Sequence, residues 1–103
     1  MTAQLDPAVQ EFVDALNAND ADRLFAVLTE DASMSDDGVE RDLSQWTDSE
    51  IFRSNARMAI ESVGPTSTEL VADYTNSRWG SMRTTWRFTV RDGRISRFET
   101  GQA

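Results

Sequence analysis

The sequence contains no cysteine, no histidine and no lysine, and each absence excludes a class of chemistry. Without cysteine, the chain forms no disulfide and has no thiolate nucleophile. Without histidine as well, it lacks the usual zinc ligands and the imidazole that activates serine or cysteine nucleophiles. Acid–base chemistry is left to Asp, Glu, Tyr and water. No cofactor is expected, although carboxylates alone are able to hold magnesium or calcium.

Long apolar runs and positive charge are also scarce. No run approaches the ~18 residues of a membrane span, so no membrane contact is expected. Met1 to Pro7 is polar without a basic start, which argues against a secretory signal and predicts a cytoplasmic protein. The net charge is −8, with 18 acidic residues against 10 basic ones, all Arg. Nucleic acid is therefore not an expected partner. A GC-rich or a salt-adapted source would explain the absence of lysine.

The first half of the chain is predominantly helical in pattern, and 103 residues indicate one domain, 1–103. Asp6 is a candidate N-cap before Pro7, and a first helix follows with an apolar stripe at helical spacing. Asn19 or Asp20 caps a second, shorter helix. A third is predicted over Leu43 to Arg53, with Ser44 as N-cap and Glu50 on the solvent side. The second helix is expected to bury four residues: Leu24, Phe25, Val27 and Leu28.

The remaining segments alternate as strands do. Ala32 to Ser35 is a predicted strand, Asp36-Asp37-Gly38 a turn, and Val39 to Asp42 the return strand. After Asn55 the alternation dominates, and it is cleanest over Met82 to Val90. Arg91-Asp92-Gly93 predicts a hairpin, and Ile95 to Thr100 a last strand with a bulge. The predicted fold is α+β, with three N-terminal helices packed on a curved antiparallel sheet.

This order of elements resembles the nuclear-transport-factor-2-like superfamily, which includes ketosteroid isomerases and SnoaL-like polyketide cyclases. The residues that carry the resemblance are Val9 to Asp20, Leu24 to Ala32, Ser35-Asp36 and Arg91 to Glu99. The resemblance implies a cystatin-like cone roll, a pocket between the helices and the concave sheet, and homodimers formed through the sheet. Its motifs are degenerate and specify fold better than activity.

One catalytic residue carries over from the resemblance. Asp36 matches the position of the isomerases' catalytic base, although an Asp before a turn is also common for local backbone reasons. Phe12 stands where those enzymes have a tyrosine donor, and Ser81 to Arg91 contains no acid to match their late-strand Asp. One oxyanion donor is worth ~3 kcal/mol, so steroid isomerisation is not expected.

The predicted site combines aromatic and polar residues. Asp36 and Tyr74 are the candidate catalytic pair, Tyr74 being the only phenol in the chain. Each aromatic has packing as its alternative role, and Arg78 is either a rim cation for a carboxylate ligand or a solvated loop residue. Trp79 is a further candidate wall residue. The acids near the turn lack calcium-loop spacing, so no metal is expected. The predicted ligand pocket comprises Phe12, Trp46, Tyr74, Arg78 and Trp86.

Three functions follow. The first is a binding domain for a small apolar or aromatic molecule in an aromatic-lined pocket. The second is an isomerase, cyclase or hydrolase with Asp36 as general base and Tyr74 or a water as its partner. The third is a dimeric, non-catalytic interaction domain whose cavity is filled by its own side chains. A chain this short implies a shallow cone that Phe12, Trp46, Tyr74 and Trp86 fill in large part, which favours the first and third.

Overall fold

Residues 5–103 are described in the computed structural model, and their helical segments lie on one face of a sheet. The segments are α1 Pro7–Asn17, α2 Ala21–Ala26, α3 Leu43–Thr47 and a π-helical segment Asp48–Phe52. The strands are β1 Leu28–Asp36, β2 Val39–Arg41, β3 Arg57–Val63, β4 Glu69–Asn76, β5 Gly80–Arg91 and β6 Arg94–Gln102. The prediction that no secretory signal is present depends partly on residues 1–4, which lie outside this range.

Helix α1 forms as its sequence predicts. The Asp6 side chain accepts a hydrogen bond from the Ala8 backbone N–H at 2.9 Å, and Pro7 occupies the first helical turn. The apolar stripe is buried against the sheet, with Phe12 fully inaccessible to solvent. α1 therefore covers the core on the helical side of the sheet.

Helix α2 is shorter than its apolar pattern predicts. Asp20 is the N-cap, accepting from the Arg23 N–H at 3.1 Å, and the helix ends at Ala26. Leu28 is buried as the first residue of β1, and Phe25 is 39% exposed. The prediction of a helical Leu28 and a buried Phe25 was wrong, because a six-residue helix turns only one narrow face, at Leu24, to the core.

The third helix changes its winding midway. Asp42, not Ser44, is the N-cap, since its carboxylate accepts from the Gln45 N–H at 2.9 Å. Beyond Thr47 the bonds reach five residues back, from Arg53 N–H to the Asp48 carbonyl at 2.9 Å. Such π-helical turns leave backbone carbonyls to be satisfied by other groups, and they are frequent at functional sites.

The strands of residues 5–103 form one curved, open sheet in the order β2-β1-β6-β5-β4-β3. The α+β fold class is thus confirmed. Four neighbouring pairs are antiparallel, whereas β1 and β6 are parallel, with Met34 opposite Phe98 and Asp36 opposite Thr100. β1 also begins earlier than predicted, because residues from Leu28 onward pair with β6.

Both predicted hairpin turns and the bulge are present. Asp37 and Gly38 have φ angles of 49° and 79°, as a two-residue turn with right-handed strand twist requires. Asp92 and Gly93 repeat the arrangement. In β6 the register shifts near Ser96, where the bulge had been predicted.

The two faces of the sheet differ as the alternation of β5 predicts. Thr84, Trp86 and Phe88 are buried against the helices, while Arg83 and Arg87 are exposed on the opposite, helix-free face. Within the described part of the chain, every helix is too short or too polar to cross a membrane.

Candidate functional site

A cavity of about 260 Å³ opens where α3 and the π-helical segment meet the ends of the central strands. Its aromatic lining residues are Trp46, Tyr74, Trp79 and Trp86. Its charged lining residues are Asp36, Asp37, Arg41 and Glu50. The wall is completed by Met82, Thr84, Thr100, Gly101 and Gln102. The lining of the cavity is therefore rich in both aromatic and acidic residues.

Asp36 is the last residue of β1, and strand alternation turns its side chain toward the helices. Met34, two residues earlier on the same face, is fully buried, and Asp36 itself is half-buried. Its Oδ2 accepts a hydrogen bond from the Trp46 indole Nε1–H at 3.1 Å. Burial raises the pKa of the Asp36 carboxyl above its ordinary 3.8, and the bond from Trp46 offsets only part of that effect. The Asp36 carboxylate therefore lies in the cavity wall, half-buried.

The two buried tryptophans of the wall come from opposite sides. Trp46 is on α3 and Trp86 on β5, and their ring centroids lie 6.3 Å apart in an edge-to-face arrangement. Trp86 donates its indole N–H to Thr84 Oγ1 at 2.8 Å, and Thr84 donates in turn to the Ala72 carbonyl at 3.2 Å. Both indole N–H groups are thus bound to protein acceptors, and ring carbon faces the space between them.

Tyr74 is fixed by the π-helical segment. Its hydroxyl donates to the Glu50 backbone carbonyl, which also accepts from Asn76 Nδ2 at 3.1 Å. Burial raises the pKa of the Tyr74 phenol to about 12, with further upward effects from Glu50 and Asp36. Tyr74 therefore stays protonated at neutral pH, and its hydroxyl donates its hydrogen bond to the Glu50 backbone carbonyl. In this arrangement it offers a ligand its ring.

Glu50 and Trp79 form the outer rim. The Glu50 carboxylate accepts from Trp79 Nε1–H at 2.9 Å and pairs with Arg78 Nη1 at 3.2 Å. Its side chain is only 14% exposed, so the prediction of a solvent-side Glu50 was wrong. The change to π-helical winding explains this, because an α-helical projection assigns residues after Thr47 to the wrong face. The Arg78 guanidinium also lies 5.1 Å from the centre of the Trp79 ring.

The structure brings together most, but not all, of the predicted site. Asp36, Trp46, Tyr74 and Trp86 share the cavity. Phe12 does not reach it, because its ring is enclosed by Phe88 and Phe98 deeper in the core. Arg78 stands behind Glu50 at the rim instead of lining the cavity. Whether these residues bind or catalyse stays a prediction.

Other wall residues were missed by sequence reasoning. Met82, Thr84 and Thr100 lie on the core faces of β5 and β6, which the alternation does indicate. Nothing local distinguishes a core-facing residue that lines a cavity from one that fills the interior. Across residues 5–103, no group of three acids converges as a metal site.

A second, wider groove of about 540 Å³ is open to solvent. It is lined largely by outward-facing residues of the strands, among them Ser35, Glu69, Val71, Thr85, Arg87 and Glu99. Arg87 and Glu69 form an ion pair at 3.4 Å across it. This face is polar and carries paired charges.

Comparisons with solved structures identify the fold. A protein from Cytophaga hutchinsonii, described as nuclear-transport-factor-2-like and of unknown function, superposes with a TM-score of 0.75 at 15% identity, over 100% of this chain and 95% of its own. A proposed polyketide cyclase from Sinorhizobium meliloti gives 0.73 at 24% identity, over 93% of this chain and 94% of its own. A cystatin-fold protein from Novosphingobium aromaticivorans gives 0.70 at 16% identity, over 95% and 97%.

The chain therefore has the same α+β fold as these nuclear-transport-factor-2-like and cystatin-fold proteins, which is the fold that the resemblance implied. No protein-family model matches the sequence. No curated protein matches it either. Because every identity quoted is below 25%, these likenesses establish the fold and leave function to the site itself.

Proposed function

We propose that this protein is a small-molecule-binding domain whose ligand enters the cavity beside Asp36 and packs against its aromatic wall. The supporting observation is that an aromatic-lined space of about 260 Å³ persists although four bulky aromatics surround it. This volume lies just below the ~300–1,000 Å³ of typical ligand pockets, which suits a compact ligand. Ring surface supplies apolar contact, and Asp36 supplies one oriented polar group.

The hydrogen bonds of the wall favour binding over catalysis. Each aromatic N–H or O–H is already donated to the protein, including those of Trp46, Trp79 and Tyr74. Stabilising an oxyanion needs donors aimed at the reacting oxygen, and one such donor is worth ~3 kcal/mol. The aromatic wall holds no spare donor of this kind.

A reaction with Asp36 as general base is the second candidate, favoured by the upward pKa shift of its carboxyl and by the proposed polyketide cyclases with this fold. Its test is deuterium exchange at carbon beside the carbonyl of small cyclic ketones in D₂O, followed by NMR. Exchange that disappears in Asp36→Asn would establish the enzyme. Exchange no faster than in buffer would exclude this reaction and leave the binding function as the proposal.

The three tryptophans provide the test of binding, because every tryptophan of the chain lines the cavity. We expect indene and coumarin, as planar apolar probes, to shift all three indole N–H signals saturably in ¹H–¹⁵N spectra. Met82→Trp fills the mouth and should abolish these shifts. Ser81→Trp, the adjacent residue on the opposite face, is the matched control and should preserve them. Unshifted signals at saturating probe would overturn the proposal.

We further propose that two copies of the chain meet through the helix-free face. The support is that this face exposes charges of both signs, as in the Arg83–Glu61 pair at 2.8 Å and the Arg87–Glu69 pair at 3.4 Å, so a second copy is able to set its Glu side chains against these Arg side chains. Sedimentation should give twice the mass of the 11.6 kDa chain at micromolar concentration. Arg87→Glu should lower that mass toward the monomer. A wild-type protein that sediments as a single 11.6 kDa species would refute the dimer.

A further inference from the structure

We infer that the cavity selects a small organic cation, specifically a protonated amine carried on a single aromatic ring. This inference rests on the proposed binding function and adds the chemical class of the ligand. The first observation is the balance of charge: Asp36, Asp37 and Glu50 line the cavity, against one guanidinium, the exposed Arg41. The excess of negative charge in the lining therefore attracts cations to the cavity.

The second observation is that Asp36, the carboxylate that accepts from the Trp46 indole inside the cavity, lacks a cationic partner. Glu50 is paired with Arg78 at 3.2 Å, and Asp37 Oδ1 accepts from the Gln102 backbone N–H at 2.9 Å. Asp36 accepts only the neutral Trp46 indole N–H, and among residues 5–103 no arginine lies within ion-pair distance of it. A half-buried charge without a counter-charge is unfavourable, and a ligand ammonium would supply the missing partner.

The third observation concerns the rings around Asp36. The polar edges of Trp46, Tyr74 and Trp86 are tied to protein acceptors, so these residues present ring carbon to the cavity. Aromatic faces carry negative electrostatic potential and attract ammonium groups. The rim already uses this contact, since the Arg78 guanidinium lies 5.1 Å from the centre of the Trp79 ring. A carboxylate beside aromatic rings matches an ammonium group better than a neutral polar one.

The same features disfavour an anionic ligand. A carboxylate in the cavity would meet Asp36 and Glu50 and gain only Arg41 at the surface. Arg78, which the sequence suggested as the anchor for such a ligand, is held by Glu50 and does not line the wall. The volume of about 260 Å³ suits one ring with a short amine arm.

The test compares three probes that share a phenyl ring and a short arm: phenethylamine, 2-phenylethanol and phenylacetate. Dissociation constants are measured at pH 7 by calorimetry and from the three indole N–H signals. We expect the amine to bind at least about tenfold more tightly than the alcohol, with the acetate weakest. Asp36→Asn should remove that tenfold preference, because the change weakens binding of the amine more than binding of the alcohol. Asp73→Asn, the same change at an exposed position of β4 on the opposite face, should keep the preference.

Each outcome decides one of the two proposals. If the alcohol binds as tightly as the amine, the cation inference fails and the binding function stands. If the preference survives Asp36→Asn, the proposed partner of the ammonium is wrong and the inference fails. If indene shifts the indole signals but none of the three probes does, the inference of an aromatic amine ligand fails and the binding function stands. If no aromatic probe binds at all, both proposals fall.

Discussion

The two ends of the cone use aromatic residues in different ways. At the closed end, Phe12, Phe88 and Phe98 pack at centroid distances of 5.0–6.2 Å, and each is 3% exposed or less. At the open end, Trp46, Tyr74 and Trp79 surround a cavity. Phenylalanine has no polar atom and fits a dry interior, whereas each open-end residue has a donor that must find an acceptor. The acceptors there are Asp36, the Glu50 carbonyl and the Glu50 carboxylate.

Trp86 joins the two ends. Its ring lies 6.0 Å from Phe12 and Phe98 on one side and 6.3 Å from Trp46 on the other. Its indole N–H is held by Thr84 on its own strand. Trp86 therefore belongs both to the buried core and to the wall of the cavity.

The largest expected effect comes from truncating the closed end. Phe98→Ala should lower the free energy of unfolding by about 3–5 kcal/mol, because it leaves a cavity among packed rings. Trp79→Ala, at a residue 58% exposed, should cost less than about 1 kcal/mol. Urea unfolding of both variants checks the contrast. Equal losses would mean that the two ends do not differ in this way.

A smaller loss is expected at the open end from Tyr74→Phe. Removing the hydroxyl deletes one bond to the Glu50 carbonyl, worth about 0.5–1.5 kcal/mol, while Asn76 Nδ2 still donates to that carbonyl at 3.1 Å. Adding Asn76→Ala should cost more in the Tyr74→Phe background than in the wild type, because the carbonyl then loses both donors. If the losses in unfolding free energy of the two single variants simply add in the double variant, as measured by urea unfolding, the claim that the two donors share one acceptor is wrong.

Gly101→Ala probes the mouth of the cavity. A methyl group there would lie 2.6 Å from Asp37 Oδ1, so that carboxylate must swing away and release the Gln102 N–H. The expected loss is about 1 kcal/mol by urea unfolding. In an Asp37→Gly background, which suits the positive φ of residue 37, the same change should be close to neutral. A full loss in that background would point to another contact.

Unlike the preceding substitutions, a change at Asp36 is expected to raise the free energy of unfolding. Because burial raises the folded-state pKa of this carboxyl, the folded protein binds its proton more readily than the unfolded chain does. Stability therefore falls as pH rises from the ordinary value of 3.8 through the folded pKa, and the penalty persists at neutral pH. Asp36→Asn should raise the unfolding free energy at pH 7 and have little effect at pH 3. A variant less stable than wild type at pH 7 would show that the charge is stabilising.

Sequence patterns predicted most of the architecture because periodicity reports which face of an element is buried. The Asp6–Pro7 helix start, the alternation of β5 and the Asp92–Gly93 turn are all local signals. The pairing of β1 with β6 is not local, since alternation says nothing about which strand lies alongside. Leu28 was assigned to a helix because a single apolar residue fits either period.

The candidate site was predicted in part for the same reason. Asp36 and the buried tryptophans could be placed by strand position and resemblance. The role of Glu50 could not be found from the sequence, because it depends on the change of winding after Thr47. A π-helical turn has no sequence signature as clear as a cap or a hairpin turn, and it rotates every later side chain relative to an α-helical projection.

The parallel pairing of β1 with β6 has a consequence for how the protein folds. In the order β2-β1-β6-β5-β4-β3, the last strand along the chain lies near the middle of the sheet. Without it, the β1–β2 hairpin and the β3–β4–β5 meander share no edge, so the full sheet forms only when β1 pairs with β6, which is distant in sequence. Such distant pairing slows folding. Kinetic experiments should accordingly find a slow, cooperative step in which the β1 hairpin joins the meander.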